Sequence, residues 1–199
     1  RKRRVLLVDM ECEAPASRSF GLTRSEMLPN VDGVLVHGIP LPAAARKTTV
    51  DHLDIVPGAI RGRPDPQGTN SPSALVRALA CPFAKRLEYS DVVIGCDVRI
   101  PVAALAAADA YVVTVRPESM VIDTLTRVMD ELSEAKARFL GFVLVGTESP
   151  DTNLVRTRYG DQVFSAEISD DNSAGGPTTC TSLPDELCGR YTAAGGLHV

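Results

Sequence analysis

Short apolar runs of strand length recur along the whole chain, separated by stretches of helical spacing or dense in turn residues. This alternation restricts the fold more than any other feature. Residues 5–9 (VLLVD), 52–56 (HLDIV), 91–96 (DVVIGC), 111–115 (YVVTV), 139–145 (FLGFVLV) and 162–168 (QVFSAEI) read as strands. They are nearly continuous in apolar residues instead of alternating, which is the pattern of strands covered on both faces. Residues 25–36, 41–46, 73–86, 102–108 and 151–159 read as helices. From Pro117 and Glu118, a good helix start, Val121, Leu125, Val128, Leu132 and Ala135 repeat at steps of four and three and predict one apolar helix face. Strands alternating with helices predict an α/β fold: a doubly wound, mostly parallel sheet with helices on both faces.

Residues 1–168 are therefore read as one α/β domain. Residues 10–21 (MECEAPASRSFG) and 61–73 (RGRPDPQGTNSPS) are loops by their Pro, Gly and Ser content. Residues 169–199 are rich in Gly, Ser, Thr and Pro, and are expected to form an extended or partly disordered tail with at most a short helix near residues 184–188.

Composition narrows the function classes. The net charge of −4 provides no general attraction to nucleic acid or membrane, and no apolar run is long enough to span a bilayer. The basic start RKRR leads into only a short apolar strand, which does not suit a secretory leader, so a cytoplasmic chain is expected. The basic cluster itself reads as a solvated strand entry, with a phosphate or partner contact as the alternative. Cys12, Cys81, Cys96, Cys180 and Cys188 are widely spaced, with no CxxC pair or histidine at ligand spacing, so neither a disulfide framework nor a zinc site is expected. Cys96, inside an apolar run, reads as a small buried hydrophobe.

Several segments together resemble the ParA/MinD family of deviant Walker A partition ATPases. RKRRVLLVDMECEA is similar to the family's basic-led strand ending in an acid-x-acid pair, here Asp9 and Glu11. GVLVHGIPLPAAARKTTVDHLDIVPGAI is similar to the segment that follows. Residues 89–118 carry the tyrosine before a strand, the AALAAAD run to Asp109 and the V-x-P-E of Val115 to Glu118. GFVLVGTESPDTNLV and YGDQVFSAEI resemble the later strands. The resemblance covers about residues 2–170. It implies a P-loop-NTPase-like fold that sandwiches ATP in a dimer and helps to position DNA or protein assemblies.

Set against that pattern, the chain contains no G-x-x-x-x-G-K-[ST] loop, so the N–H cradle and lysine for phosphate are missing. RKTT at 46–49 mimics the end of such a loop without its glycines, and DPQG at 65–68 mimics an acidic motif with no strand before it. Gly95 stands where the resemblance implies the acid that would orient Mg²⁺. Glu11 is one methylene longer than the family's aspartate. Asp9 and Glu11 are thus relic cofactor-binding positions. No catalytic residue and no metal ligand is assigned, and no cofactor is expected; ATP and Mg would need a P-loop supplied from elsewhere.

The implied dimer face lies at the strand ends and would hold Glu13, Gly95, Asp97, Arg99, Arg116 and Glu118. The expectation is a ParA/MinD-like pseudo-ATPase that associates with itself, an intact relative or a partition partner. A piece of an active ParA-type ATPase with its P-loop upstream and an assembly scaffold are the alternatives. Residues 161–199 hold six acids and one base, Arg190, so nonspecific DNA binding is doubtful. In the family fold the P-loop strand is central. A chain lacking it must close the gap, borrow a strand or leave backbone edges open.

Overall fold

The structure is a computed structural model describing residues 3–60, 71–81, 88–97, 101–117, 121–133, 137–146, 151–168 and 182–193. Its contacts divide the chain into two units, Arg1–Ala108 and Asp109–Val199, each with its own sheet. The sequence reading placed residues 1–168 in one domain.

In the first unit, β1 (Val5–Asp9) lies between β3 (Leu53–Val56) and β4 (Asp91–Gly95), parallel to both, with Leu7 opposite Ile55 and Val93. The apolar run of β1 is a consequence of this central place. A strand not predicted from sequence, β2 (Arg46–Lys47), pairs antiparallel with β3, giving the order β2-β3-β1-β4. Two basic residues at this outer position are a common device for discouraging further pairing.

Helices α1 (Pro15–Ser19), α2 (Val31–Leu35), α3 (Leu41–Ala44), α4 (Ser73–Ala80) and α5 (Val102–Ala107) complete the unit. The segment expected to be a loop after β1 contains α1, whose first turn Pro15 begins. The helix expected over 25–36 is confined to α2, because Pro29 cannot extend a helix through its missing N–H and Asn30 caps the restart by accepting the Gly33 N–H at 3.2 Å. Leu6, Val8, Val31, Val34, Leu41, Val56, Leu75 and Ala103 form the core.

The second unit has the parallel order β5-β6-β7, from β5 (Ala110–Val115), β6 (Arg138–Val145) and β7 (Val163–Ile168). Helix α6 (Val121–Ser133) buries Leu125, Val128 and Leu132, the predicted stripe; the predicted start at Glu118 and Ala135 lie outside the described residues. Helix α7 (Asp151–Tyr159) has the predicted bounds and buries Val155. Rings of Tyr111, Phe139, Phe142 and Tyr159 touch in succession, stacked, then edge-to-face, then tilted, with centroid separations of 5.3, 4.8 and 4.6 Å.

The tail differs from expectation. Helix α8 (Leu183–Ala193) is eleven residues long and reaches back to β7, where the sequence reading allowed only a short helix near 184–188. Its Gly and Thr content argued against a helix, but contacts of Glu186 and Arg190 with the sheet outweigh propensity. Residues 169–181 and 194–199, also part of the expected tail, lie outside the described residues.

Candidate functional site

β1 and β4 run parallel and end side by side, with Asp9 opposite Gly95, so the residues that follow them gather at one end of the first sheet. Strand ends of this kind are where α/β proteins place their chemistry. The Met10 N–H donates to the Gly95 carbonyl at 2.8 Å, keeping the two chains together past the strand.

Asp9 is fully buried, and its carboxylate accepts hydrogen bonds from within the first unit. One carboxylate oxygen accepts both the Ser17 N–H, at 2.8 Å, and the Ser17 hydroxyl, at 2.7 Å. The other accepts the Glu11 N–H at 3.4 Å. The Ser17 hydroxyl in turn accepts the Gly58 N–H at 2.9 Å. A side chain at Gly58 would approach Ala14 Cβ at 2.7 Å and Asp9 Cγ at 3.0 Å, so glycine is required there by close packing. This network ties the end of β1 to α1 and to the chain after β3. Sequence reasoning missed Ser17 and Gly58, because their partnership depends on positions 41 residues apart.

Glu11 is half-buried beside Asp9 and Asp97. Burial, then the charges of Asp9 and Asp97, raise its pKa above the usual carboxylate range. The Cys96 thiol is pushed up to about 12, first by burial and then by Glu11, Asp97 and Asp9, so it stays protonated and is a poor nucleophile. Cys12, Cys81, Cys96 and Cys188 form no disulfide in the structure.

Glu13, exposed in the turn before Pro15, and Gly95 and Asp97, partly buried, all belong to the first unit. Arg116, exposed after β5, belongs to the second. Arg99 and Glu118 lie outside the described residues. Arg3 and Arg4, at the entry to β1, are used within the sheet. Arg3 pairs with Asp91 through Nε at 2.8 Å, and Arg4 pairs with Asp54 at 2.8 Å while lying over the Tyr89 ring. The Tyr89 hydroxyl also donates to Asp54, at 2.7 Å, so the tyrosine before β4 acts as a strut between strands. RKTT at 46–49 begins with β2 and is no phosphate loop; DPQG lies outside the described residues.

Asp9 has its oxygens engaged by backbone and hydroxyl donors, Gly95 supplies no carboxylate, and the described residues hold no group of three side chains able to ligate a metal.

A second polar cluster, also missed from sequence, joins α8 to the sheet of the second unit. Glu186 accepts the N–H groups of Ser165 and Ala166 and the Ser165 hydroxyl. Arg190 donates to the carbonyls of Leu140, Gln162 and Val163 and to Glu186. The available signal was that Arg190 is the one base in an acidic stretch. Burial pushes the Glu186 carboxyl up, but the donors from Ser165, Ala166 and Arg190 outweigh it and hold the group at about 2, below its ordinary 4.5.

A folded pKa below the unfolded one means that the contribution of Glu186 is complete above about pH 4.5 and is lost as the pH falls toward 2. Amide exchange at Ser165 and Ala166 should therefore accelerate progressively below pH 4.5 in wild type and be fast at neutral pH in Glu186→Gln. Exchange independent of pH over that range, once corrected for intrinsic rates, would show that the carboxylate does not hold α8.

The parallel strands and flanking helices define the class: an α/β protein with mostly parallel sheets. No protein-family model matches the chain. Over 132 residues it is 25% identical to the sporulation initiation inhibitor protein Soj of Bacillus subtilis, which covers 64% of this chain and 52% of Soj. The chain thus spans about half the length of that curated relative.

Among solved structures, a plasmid partition protein from Borrelia burgdorferi matches with a TM-score of 0.69 at 13% identity, covering 97% of this chain and 86% of that one. Cobyrinic acid a,c-diamide synthase from Mycobacterium smegmatis, solved with ADP and magnesium, matches with a TM-score of 0.69 at 21% identity, covering 97% and 84%. The septum site-determining protein MinD of Pyrococcus horikoshii, with Mg-ADP, gives 0.64 at 20%, covering 94% and 74%. The Soj match and this shared fold relate the chain to the ParA/MinD family of partition and positioning ATPases. Among the described residues no helix is long and apolar enough to cross a membrane.

Proposed function

We propose that this chain is a ParA/MinD-like pseudo-ATPase of the cytoplasm that works by protein–protein association. The observation that carries the reading is the state of Asp9. The carboxylate that the family resemblance sets at the nucleotide is buried and committed to Ser17 and the Glu11 N–H. Gly95 at the neighbouring strand end supports the same reading, since it cannot replace the lost acid. Asp9 and Glu11 are then relics of a nucleotide site, and the Asp9 carboxylate is kept for folding.

The associating surface includes the residues after β1 and β4, Glu13 and Asp97 among them, and the partner is a second copy, an intact relative or a partition protein. DNA is a poor candidate, because Arg190, the one base of residues 161–199, is engaged by Glu186 and by main-chain carbonyls. The nucleotides held by the mycobacterial synthase and by MinD are properties of those proteins.

Calorimetric titration of Mg-ATP into the folded chain tests the loss of nucleotide chemistry. No saturable heat is expected, and saturable binding would overturn it. Sedimentation equilibrium tests the association. Asp97→Lys should weaken the complex by about tenfold, roughly 1.4 kcal/mol, with an unchanged circular dichroism spectrum. Undiminished association would remove Asp97 from the surface.

A further inference from the structure

Charge is divided unevenly between the two units. Arg1–Ala108 hold 14 lysines and arginines against 11 acids, whereas Asp109–Val199 hold seven against 14. The first unit therefore carries a net +3 and the second a net −7, a contrast that the overall −4 conceals. Such a division favours contact between unlike surfaces and opposes contact between like ones.

The positive charge of the first unit has an exposed focus at β2, which holds the end position of its sheet among the described residues. Arg46 donates to the carbonyls of Leu28, Ala43 and Ala45, at 2.8, 2.9 and 3.1 Å, so its guanidinium fixes main chain without meeting a carboxylate. Lys47 is exposed beside it. Arg24 is exposed in a turn where the N–H groups of Glu26 and Met27 both donate to the Thr23 carbonyl. Leu28 follows that turn and is 65% exposed, more than any other large hydrophobic side chain among the described residues. Arg24 and Lys47 form no ion pair among the described residues. An apolar centre with a charged rim has the make-up of a protein–protein contact.

Charge selects the occupant. In the second unit, Asp161 is exposed in the turn Gly160–Gln162 that enters β7, and Asp185 is exposed in the first turn of α8. Neither forms an ion pair among the described residues. Arg190 is spent on Glu186 and on main-chain carbonyls, so it does not offset them. Leu183 and Leu187, one helical turn apart on α8, stay half-exposed and offer apolar surface to a residue such as Leu28. Every copy carries both surfaces, so the partner of each is present at equal concentration. We propose that the β2 edge of one copy binds the α8–β7 edge of a second copy, head to tail. The contact joins two different patches, so assembly continues into rings or open chains. This deepens the association reading above, on which it rests, by naming the second copy as partner and surfaces that share no residue with Glu13 and Asp97.

Sedimentation of the wild-type chain over a range of salt is the first test. The weight-average mass should rise with protein concentration at about 0.01 M salt, where charges act over about 30 Å, and fall back at about 1 M, where they act over about 3 Å. Mixing then isolates the contact. One variant, Arg24→Gln with Lys47→Gln, lacks the basic edge; the other, Asp161→Asn with Asp185→Asn, lacks the acidic one; both also carry Asp97→Lys to silence the strand ends. In fluorescence anisotropy the two should bind each other saturably, because each supplies the edge the other lacks, while each binds itself about tenfold more weakly. The four neutralised side chains are exposed, so the dichroism spectra should match that of Asp97→Lys alone. The salt series needs no variant and decides the matter if a substitution unfolds the chain.

A wild-type mass that does not depend on salt, or a mixed pair no tighter than the self-pairs, would overturn the proposal. So would a chain that stays monomeric at low salt and takes up a labelled DNA duplex through Arg24 and Lys47, because the β2 edge would then serve nucleic acid. Asp97→Lys alone reports on the strand-end surface, whereas the mixed pair reports on the two edges, so the two readings fail separately.

Discussion

Asp9→Ala is expected to destabilise the protein by about 3 kcal/mol, although Asp9 occupies what the family resemblance makes a nucleotide-site position. The substitution leaves the Ser17 N–H and hydroxyl without their acceptor in a fully buried site. A buried donor left unsatisfied costs about 1–3 kcal/mol, more when its lost partner was charged. The Ser17 hydroxyl also loses the anchor that orients it toward the Gly58 N–H, so the connection to the chain after β3 is weakened as well. Asp9→Asn keeps one acceptor oxygen and should fall between the two. The urea midpoint of unfolding, compared at constant slope, reports the difference. An unchanged midpoint in Asp9→Ala would return Asp9 to the role of a ligand-directed carboxylate and remove the main support for the pseudo-ATPase reading.

The second large effect is expected at Arg190. Its guanidinium donates to three main-chain carbonyls and to Glu186, and lies 4.0 Å over the Phe164 ring. A planar fork with five donors can satisfy this arrangement, whereas a lysine ammonium cannot reach the carbonyls together. Arg190→Ala should cost about 2–4 kcal/mol, from lost charge-assisted hydrogen bonds and the lost cation–ring contact. The loss should be local first: amides of Ser165 and Ala166 exchange faster while those of β1 keep their protection. Gly141→Ala attacks the same place from the sheet. Its φ of +145° excludes a side chain, and a Cβ there would lie 2.5 Å from the Gln162 carbonyl oxygen and 2.6 Å from the Arg190 guanidinium. Arg190→Lys restoring wild-type protection would show that charge, and not the fork, holds the helix.

Much of the fold was legible because strand chemistry is local. VLLVD, DVVIG and FLGFVLV are apolar without alternation, and each became a strand with at least one parallel neighbour. The stripe Leu125, Val128 and Leu132 became the buried face of α6 for the same reason. The residues that misled were those whose state depends on distant partners. β2 is a strand because β3 lies beside it, not because Arg46 and Lys47 favour extension. The helix α8 rests on contacts that Glu186 and Arg190 make with strands 20 or more residues away. At the candidate site, the position of Asp9 at a strand end was readable from its apolar run, but its use was not.

The sequence alone determined six of the strands, all but β2, that these six would run parallel, which acids would follow β1 and β4, and that Gly95 would bring no carboxylate to its strand end. These follow from side-chain hydrophobicity and spacing, which act within a few residues. The tertiary structure decided where hydrogen-bonding capacity is spent: that Asp9 is committed to Ser17, and that Arg190 is committed to the carbonyls of β6 and β7. Buried donors and acceptors must find partners wherever the packed chain brings them, and those pairings span distances along the sequence that no local pattern encodes.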